Sequence, residues 1–257
     1  MNTPQHIVSR DNPLIKKLRQ LAQDSTAYRK HGQVWLEGDH LVRALLQRGG
    51  RPDVAVFTES AWPQVPEALR DAAPQVVLVP DALMASVSGL ESPPTMGFLC
   101  SPNPGAQPRA GVPTVVLDRL QDAGNVGSIV RSAAALGFAQ VLALKGTAAL
   151  WSPKVVRAGM GAHFGLHLVE GLGAEALDGL GLPLLVTSSH QGQWLHKAQL
   201  PWPCAWVMGH EGQGVGEALM ARASAHVRII QPGGEESLNV AAAAAICLHA
   251  SAAQRAE

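Results

Sequence analysis

Three segments of the chain place polar side chains and glycines where a predicted strand ends and a helix begins. The first, residues 117–138, contains Asn125, Gly127 and Arg131 in the spacing N-x-G-x-x-x-R. Arg131 would lie one turn into the helix, where a guanidinium can hold a phosphate through paired hydrogen bonds. This arrangement would suit a phosphodiester substrate. Taken alone, the segment is explained more simply by an asparagine cap and a surface arginine.

The second segment, residues 206–216, passes from an apolar strand into a loop with four glycines, and its charged residue is Glu211. Such a loop lets a ligand approach the backbone closely. Its glycines do not follow the G-x-G-x-x-G pattern of dinucleotide sites, and the chain lacks the G-x-x-x-x-G-K-[ST] pattern of triphosphate sites. An ordinary glycine-rich turn would also explain this segment.

The third segment, residues 227–250, contains a strand, a Pro-Gly-Gly turn and a helix of small residues that opens with Ser237-Leu238-Asn239-Val240. Small side chains allow close packing and leave peptide groups accessible to a ligand. The simpler alternative is that Ser237 is only the N-cap of an alanine-rich helix.

The elements that would position these segments form an α/β domain, predicted at residues 114–257. Its strands are predicted at 114–117, 141–144, 184–187, 204–208 and 227–230. One helix is predicted at 127–136, with Ile129, Ala133 and Leu136 facing inward, and the last from about Ser237 to Ala252. Strands that alternate with helices predict a mostly parallel sheet, and ligands bind at the carboxyl edge of such sheets.

A second, smaller α/β domain is predicted at residues 1–100. A stretch rich in proline and glycine, residues 101–113, predicts a linker between the two domains. Apolar periodicity predicts helices at 13–21, 40–48, 66–72 and 81–87, and short strands at 33–36, 54–57, 76–79 and 97–100.

Basic residues concentrate near the N-terminus, although the whole chain is balanced, with 20 Lys and Arg against 20 Asp and Glu. Residues 10–51 hold nine basic and four acidic side chains, an excess of five. We therefore predict an RNA-binding surface there, since phosphates require a cationic surface. Its residues would be Lys16, Lys17, Arg19, Arg29 and Lys30. A solvated basic helix face is the alternative.

Other residue types set the expected class of protein. Cys100, Cys204 and Cys247 are widely spaced and form no C-x-x-C pair, which argues against disulfides and a zinc site and favours the cytoplasm. The sequence shows neither a signal peptide nor the roughly 18 apolar residues of a membrane span. The isolated histidines receive no role: His190, His196 and His210.

In their order and spacing, the three segments resemble the sequence motifs of the SpoU/TrmH family of RNA ribose methyltransferases. The likeness extends from Val115 to about His249, and its most diagnostic pieces are Gly209-x-Glu211-x-x-Gly214 and Ser237-Leu238-Asn239-Val240. A weaker likeness connects residues 9–46 with the small substrate-binding domain that many members carry in front.

The resemblance implies a parallel-sheet methyltransferase domain with a deep trefoil knot, the α/β-knot, and a homodimer whose active site is built across the two subunits. It implies S-adenosylmethionine as the methyl donor, with no metal. Held largely by backbone groups, the cofactor would contact Thr187, Gly209, Ile229, Gln231 and Leu238. Where the family usually has Ile-Pro-Met, this chain has Ile229-Ile230-Gln231, and its proline follows at position 232.

The resemblance also implies five residues for catalysis: Arg131, Asn125, Glu211, Ser237 and Asn239. A ribose 2′-hydroxyl must lose its proton as it attacks the sulfonium methyl, so a protein group must orient it and stabilise or accept charge. Family accounts often make the arginine a general base. Because a guanidinium is almost never deprotonated, we favour phosphate positioning and charge stabilisation.

Two other classes of protein compete with this prediction. A non-catalytic RNA-binding protein of the same fold would be expected to lack Arg131, Asn125, Glu211 or Asn239, and all four are present. A nucleotide-dependent oxidoreductase would need the glycine fingerprint and an acidic ribose ligand, which the chain lacks. Because a front domain of this kind is commoner among rRNA enzymes, rRNA is the expected substrate and tRNA the alternative.

Overall fold

The computed structural model describes residues 3–102, 107–188, 191–233 and 237–256, so that residues 103–106 of the predicted linker and His190 lie outside the described residues. The chain divides into two compact units: Met1–Pro104 with Trp151–Phe164, and Gly105–Leu150 with Gly165–Glu257. Residues 151–164, which the sequence analysis placed in the C-terminal domain, therefore belong to the first unit.

The first unit contains a five-stranded sheet within the part of the chain that is described. Its strands are β1 (Gln5–His6), β2 (Val34–Glu37), β3 (Val54–Thr58), β4 (Gln75–Val79) and β5 (Met96–Cys100), in the order β1-β4-β3-β5-β2. Its helices include α1 (Pro13–Gln23), α2 (Ala27–His31), α3 (Asp39–Gln47), α4 (Glu67–Arg70) and α5 (Asp81–Val87). The helices and strands predicted for residues 1–100 are thus confirmed, with shifts of a few residues at their ends.

The sequence of α1 explains both its start and its position. Asn12 caps the helix, because its side-chain oxygen accepts a hydrogen bond from the Leu14 N–H at 2.9 Å. The apolar residues recur every three or four positions and are buried: Ile15, Leu18, Leu21 and Ala22. The opposite face of α1 therefore carries its lysines.

The second unit contains a sheet in which all pairs are parallel. Its strands are β6 (Thr114–Leu117), β7 (Gln140–Leu144), β8 (His167–Leu172), β9 (Leu184–Thr187), β10 (Gln193–Trp194), β11 (Ala205–Met208) and β12 (Ala225–Arg228), in the order β10-β12-β9-β11-β6-β7-β8. Its helices are α6 (Ala123–Ala135), α8 (Glu217–Ala221) and α9 (Val240–Ala256), while α7 (Pro153–Gly159) lies in the first unit. The predicted parallel α/β fold is confirmed, and the trefoil knot stays a prediction.

Helices α6 and α9 pack against each other beside the sheet. The apolar side chains of α6 are fully buried, among them Val126, Ile129 and Val130. On the sheet, the fully buried Trp206 donates its indole N–H to the Ser251 hydroxyl of α9 at 2.9 Å. Burial of each such aliphatic side chain contributes about 1.5–3 kcal/mol relative to exposure, so this packing holds α6 and α9 in place beside the sheet.

The start of α6 differs from the prediction. It begins at Ala123 rather than Gly127, because the Asp122 side chain accepts a hydrogen bond from the Asn125 N–H at 2.7 Å and caps the helix. At the other end, Leu136 is half-buried at the C-cap, whereas it was predicted to face inward.

The start of α9 also differs, since the helix begins at Val240 and not near Ser237. The cap is Asn239, whose side-chain oxygen accepts hydrogen bonds from two N–H groups in the first turn at 2.9 and 3.2 Å. The N-cap of α9 is therefore Asn239, and not Ser237 as the sequence suggested.

The last sheet strand was predicted at 227–230 but lies at Ala225–Arg228. Its pairing with β9 ends at Val227, and the next apolar residue, Ile230, is 57% exposed. Apolar composition alone placed the strand two residues too far along the chain. Because β12 ends at Arg228, residues 229–233 form a loop at the carboxyl edge of the sheet.

Candidate active site

A cavity of about 360 Å³ opens at the carboxyl ends of β9, β11 and β12. All five residues predicted to bind the cofactor line it: Thr187, Gly209, Ile229, Gln231 and Leu238. Three residues predicted for catalysis line it as well: Glu211, Ser237 and Asn239. The carboxyl edge of the parallel sheet therefore brings the second and third sequence segments together, as the strand order requires.

Residues 209–216, the glycine loop, form a tight hairpin after β11. His210 and Gly214 exchange backbone hydrogen bonds of 3.0 and 2.8 Å. A side chain at position 209 would place its Cβ 2.2 Å from the Gly214 carbonyl carbon, and Gly214 itself has φ +68°. Both positions therefore require glycine, which explains the spacing G-x-E-x-x-G.

His210 closes the turn of the glycine loop with its own side chain. Its Nδ1 accepts hydrogen bonds from the N–H groups of Gly212 at 3.0 Å and Gln213 at 3.2 Å. No role was predicted for this histidine, whereas it forms part of the cavity wall. An isolated loop histidine carries no sequence signal for such a contact.

Asp118 and Arg119, directly after β6, brace the glycine loop from outside. The nearly buried Asp118 carboxylate accepts the Gly216 N–H at 2.8 Å and two hydrogen bonds from Arg119 at 3.0 and 3.2 Å. Arg119 also donates to the Gln213 side chain at 3.1 Å. Its pKa is raised, because Asp118 both bonds to it and lies close to it. This pair was not predicted, because its partners in the glycine loop lie about a hundred residues further along the chain.

Glu211 reaches from the glycine loop to the start of α6. Its carboxylate accepts the N–H groups of Gln121 and Asp122 at 3.3 and 3.2 Å and the Asn125 side-chain amide at 3.3 Å. Burial raises its pKa, but these hydrogen bonds outweigh burial and the pKa lies below its ordinary value. Glu211 is therefore ionised at neutral pH, and here it holds two segments in place.

Asn125 and Asn239 continue this chain of contacts toward α9. The Asn239 amide donates to the Asn125 side-chain oxygen at 3.0 Å, while its own oxygen caps α9. Three residues predicted for catalysis, Glu211, Asn125 and Asn239, thus form one hydrogen-bonded chain between the glycine loop and α9. Its members fix one another's orientation at the cavity.

Arg131 is the predicted catalytic residue that the structure leaves outside this arrangement. It is exposed on α6 and does not line the cavity. Across the described ranges, its guanidinium forms no hydrogen bond or ion pair. Ser237, by contrast, lines the cavity with an exposed side chain.

The cavity fits S-adenosylmethionine, which joins a purine and a ribose to a charged amino-acid part. Its volume lies within the usual range of ligand sites, roughly 300–1,000 Å³. Ile229 and Leu238 offer apolar surface, and Thr187 offers a hydroxyl. Gln231 also lines the cavity, and its buried Oε1 has no hydrogen-bond partner among the described residues. No group of three or more metal-ligating side chains occurs in the part of the chain that the structure describes.

The predicted RNA-binding residues lie on α1 and α2 of the first unit. Lys16 forms an exposed ion pair with Asp11 at 2.9 Å, and Lys17 bonds to the Gln33 side chain. Burial lowers the pKa of His31, and the charges of Lys17 and Lys30 lower it further. Lys17 and Lys30 therefore both lie near His31, and the lowered pKa disfavours a positive charge on the histidine itself.

Two of the predicted arginines also make contacts within the fold. Arg19 is half-buried and donates to the Ser86 carbonyl oxygen of α5 at 3.1 Å. Arg29 is exposed and donates to the Tyr28 hydroxyl at 3.2 Å. Arg19 thus packs α1 against α5, whereas Lys16, Arg29 and Lys30 are exposed. Among the described residues, no helix is long and apolar enough to span a membrane.

Comparison with protein families assigns both halves of the chain. Residues 113–249 match the model of the SpoU rRNA methylase family, and residues 12–96 match the MRM3-like substrate-binding domain. An uncharacterised tRNA/rRNA methyltransferase of Synechocystis is 33% identical over 95% of this chain and 92% of its own length.

Two further relatives have more specific names. The 23S rRNA (guanosine(2553)-2′-O)-methyltransferase RlmP of Bacillus subtilis is 29% identical over 83% of this chain and 86% of its own. The crystal structure of an AdoMet-bound rRNA methyltransferase from Sinorhizobium meliloti superposes with a TM-score of 0.83, at 25% identity and 98% coverage of both chains.

Proposed function

The chain belongs to the SpoU rRNA methylase family and is an S-adenosylmethionine-dependent RNA ribose-2′-O-methyltransferase, and from this premise we propose that its substrate is ribosomal RNA. The relative from Bacillus subtilis is named for 23S rRNA, and the first unit matches a substrate-binding domain. We also propose that the enzyme is cytoplasmic, as its widely spaced free cysteines favour.

The observation that carries the proposed site is the cavity, which gathers eight of the residues predicted from the sequence. The bound cofactor supplies an electrophilic methyl group on a sulfonium. The glycine loop and Ile229 form the wall that holds it, and the chain of Glu211, Asn125 and Asn239 keeps that wall fixed. Such fixed positioning is a large part of catalysis by proximity.

We further propose that the chain acts as a homodimer through the exposed faces of α6 and α9. The α9 face carries Ala242, Ile246 and Ala253, and Ile246 is 41% exposed. Arg131 is exposed on the neighbouring α6 and lies outside the cavity of its own chain. A second copy on this face would let Arg131 of one chain serve the cavity of the other, orienting an RNA phosphate beside the ribose.

The substrate is tested by incubating the protein with labelled S-adenosylmethionine and total RNA, and by mapping the methylated riboses. We expect label in rRNA, and about a hundredfold less with Arg131→Ala, because a charge-stabilising group is lost. Arg109→Ala, an exposed arginine of the same unit, is the matched control and should retain full activity. Label in tRNA alone would make the rRNA proposal wrong and leave the family assignment standing.

The shared active site is tested by mixing two inactive variants, Arg131→Ala and Gly209→Val. If Arg131 serves the opposite subunit, half of the dimers are mixed and each has one intact site, which restores about a quarter of wild-type activity. Neither variant alone should recover activity. Failure to restore activity in dimers shown to be mixed would mean that Arg131 does not act across the subunits.

The cationic surface is tested with Lys16→Glu/Lys30→Glu. Because each phosphate contact contributes about 0.7–0.9 to the salt dependence of binding, loss of two contacts should lower that slope by about 1.5. Lys145→Glu/Lys197→Glu makes the same charge change at exposed lysines of the second unit. Equal effects of the two pairs would show that net charge, and not this surface, governs RNA binding.

A further inference from the structure

A second cavity, of about 750 Å³, lies beside α4 in the first unit. None of the described residues that line it was predicted for the cofactor, for catalysis or for RNA binding. Its volume is within the usual range of ligand sites, roughly 300–1,000 Å³. The lining combines apolar surface, to which Trp62 and Val65 contribute, with three charged side chains: Glu67, Arg70 and Asp71. The arrangement of these charges determines which ligand the cavity can hold.

Arg70 lines the cavity with a guanidinium that is already fixed. Its Nε donates to the Val65 carbonyl oxygen at 2.8 Å, and its Nη2 donates to those of Trp62 and Pro63 at 2.8 and 3.0 Å. The guanidinium carbon lies 4.5 Å from the centroid of the Trp62 ring. The remaining nitrogen, Nη1, is accessible and has no hydrogen-bond partner among the described residues. A ligand that accepts from Nη1 would therefore not have to immobilise this side chain.

Two carboxylates lie close to Arg70 on the same helix. Glu67 precedes Arg70 by three positions and Asp71 by four, and residues at these spacings have Cβ atoms about 5–6 Å apart on a helix. Both carboxylates are exposed, and within the described ranges neither forms a hydrogen bond or an ion pair. One donor group and two acceptor groups thus line the cavity at a distance that a single flat heterocycle can bridge.

This mixture of charges does not suit a simple ion. A phosphate would pair with Arg70 but would also meet two carboxylates, and an ammonium would pair with the carboxylates but would also meet the guanidinium. A neutral, flat ligand that carries an acceptor beside donors can satisfy both kinds of group at once. The apolar surface of Trp62 and Val65 suits the face of such a ligand.

Among the nucleobases, guanine has this pattern of groups. Its O6 can accept from Nη1 of Arg70, while its N1–H and 2-amino group donate together to one carboxylate, that of Glu67 or Asp71. Adenine and cytosine offer a carboxylate only one amino group, and uracil offers only one N–H. We therefore propose that the cavity of the first unit binds a guanine base. This inference goes beyond the proposed function, because it assigns a second site outside the methyltransferase cavity.

An unpaired guanosine in RNA and a free guanine nucleotide both carry this base, and two binding measurements on the full chain separate them. Calorimetry compares guanosine and adenosine monophosphate. Fluorescence anisotropy compares labelled oligouridines that contain one central guanosine, adenosine or inosine. We expect guanine to bind about tenfold more tightly than adenine, as one bidentate pair provides. Inosine lacks the 2-amino group and should lose most of this preference.

The variant Glu67→Gln/Asp71→Asn tests the recognition, because it removes both negative charges at exposed positions and keeps the shape of the side chains. The preference for guanine should fall to within about twofold. Glu59→Gln/Glu91→Gln makes the same change of charge at exposed carboxylates of the same unit and should keep the preference.

A preference for guanine in the oligouridines would identify RNA as the source of the base, and a preference in the monophosphates alone would identify a free nucleotide. Equal binding of guanine and adenine in both measurements would overturn the proposal, as would a preference that the variant Glu67→Gln/Asp71→Asn retains. Neither measurement involves methyl transfer, so its failure is distinct from a failure of the rRNA proposal.

Discussion

Two loops form the wall of the cavity, and they differ in how the protein holds them. The glycine loop is braced by side chains of its own chain: Asp118, Arg119, His210 and, through Glu211, the start of α6. The described part of the 229–239 segment exposes two apolar side chains, Ile230 at 57% and Leu238 at 39%, and holds the unpaired oxygen of Gln231. The glycine loop therefore has its shape before a ligand binds. The described part of the 229–239 segment instead leaves apolar surface that a ligand or a second copy of the chain would cover.

The largest expected effect comes from removing the brace, in Asp118→Ala. The carboxylate is nearly buried and accepts hydrogen bonds from both Arg119 and Gly216. Its loss leaves these donors unpaired and should lower the free energy of unfolding by about 3 kcal/mol, measured by urea denaturation.

The matched control is Asp178→Ala, which removes the partner of Arg222 from another Asp–Arg pair of the same unit. Asp178 is 70% exposed, so its loss should cost at most about 1 kcal/mol. If the two variants lost the same free energy of unfolding, Asp118 would contribute no more than an ordinary exposed ion pair. The glycine loop would then not depend on its brace.

A second prediction concerns the backbone of the glycine loop, in Gly209→Ala. The added Cβ would lie 2.2 Å from main-chain atoms of Gly214 and Val215, which cannot rotate away as a side chain can. The hairpin must open, and the affinity for S-adenosylhomocysteine should fall about tenfold or more in calorimetry.

Gly212→Ala is the control for that change, since its Cβ would meet only the His210 ring at 3.9 Å. Its affinity should stay within about twofold of the wild type. If Gly209→Ala bound the ligand as well as Gly212→Ala does, the close approach of the two strands of the hairpin would not matter to the site.

The same contrast explains how much of the molecule could be predicted from its sequence. The central strands of the second sheet are apolar runs and were predicted, whereas the edge strands β8 and β10 were missed because edge strands carry exposed and polar residues. The cavity residues were predicted because glycine and asparagine have local roles in the backbone: glycine permits a tight turn, and asparagine caps a helix.

The braces could not be found in that way. Asp118 bonds to Gly216 across 98 positions, and Glu211 bonds to Asp122 across 89. No local pattern encodes such pairs, because they exist only when the sheet brings β6 and β11 side by side. The loops that surround the cavity could therefore be identified from the sequence, but the contacts that set their shape could not.

The smallest expected effect is at His210, where the loop is held from within. His210→Gln moves the amide away from the turn, and the N–H groups of Gly212 and Gln213 lose their acceptor. The two N–H groups share this one acceptor on an exposed turn where water can replace it, so the loss should be about 1 kcal/mol and the affinity for S-adenosylhomocysteine should fall about fivefold.

His210→Asn is the test of cause, because an asparagine oxygen lies at the same distance along the side chain as the Nδ1 of histidine. It can accept the two N–H groups, and binding should return to within about twofold of the wild type. If asparagine and glutamine weakened binding equally, the imidazole would act through its packing against the cavity and not as the acceptor that closes the turn. The glycine loop would then depend for its shape on Asp118, Arg119 and Glu211 alone.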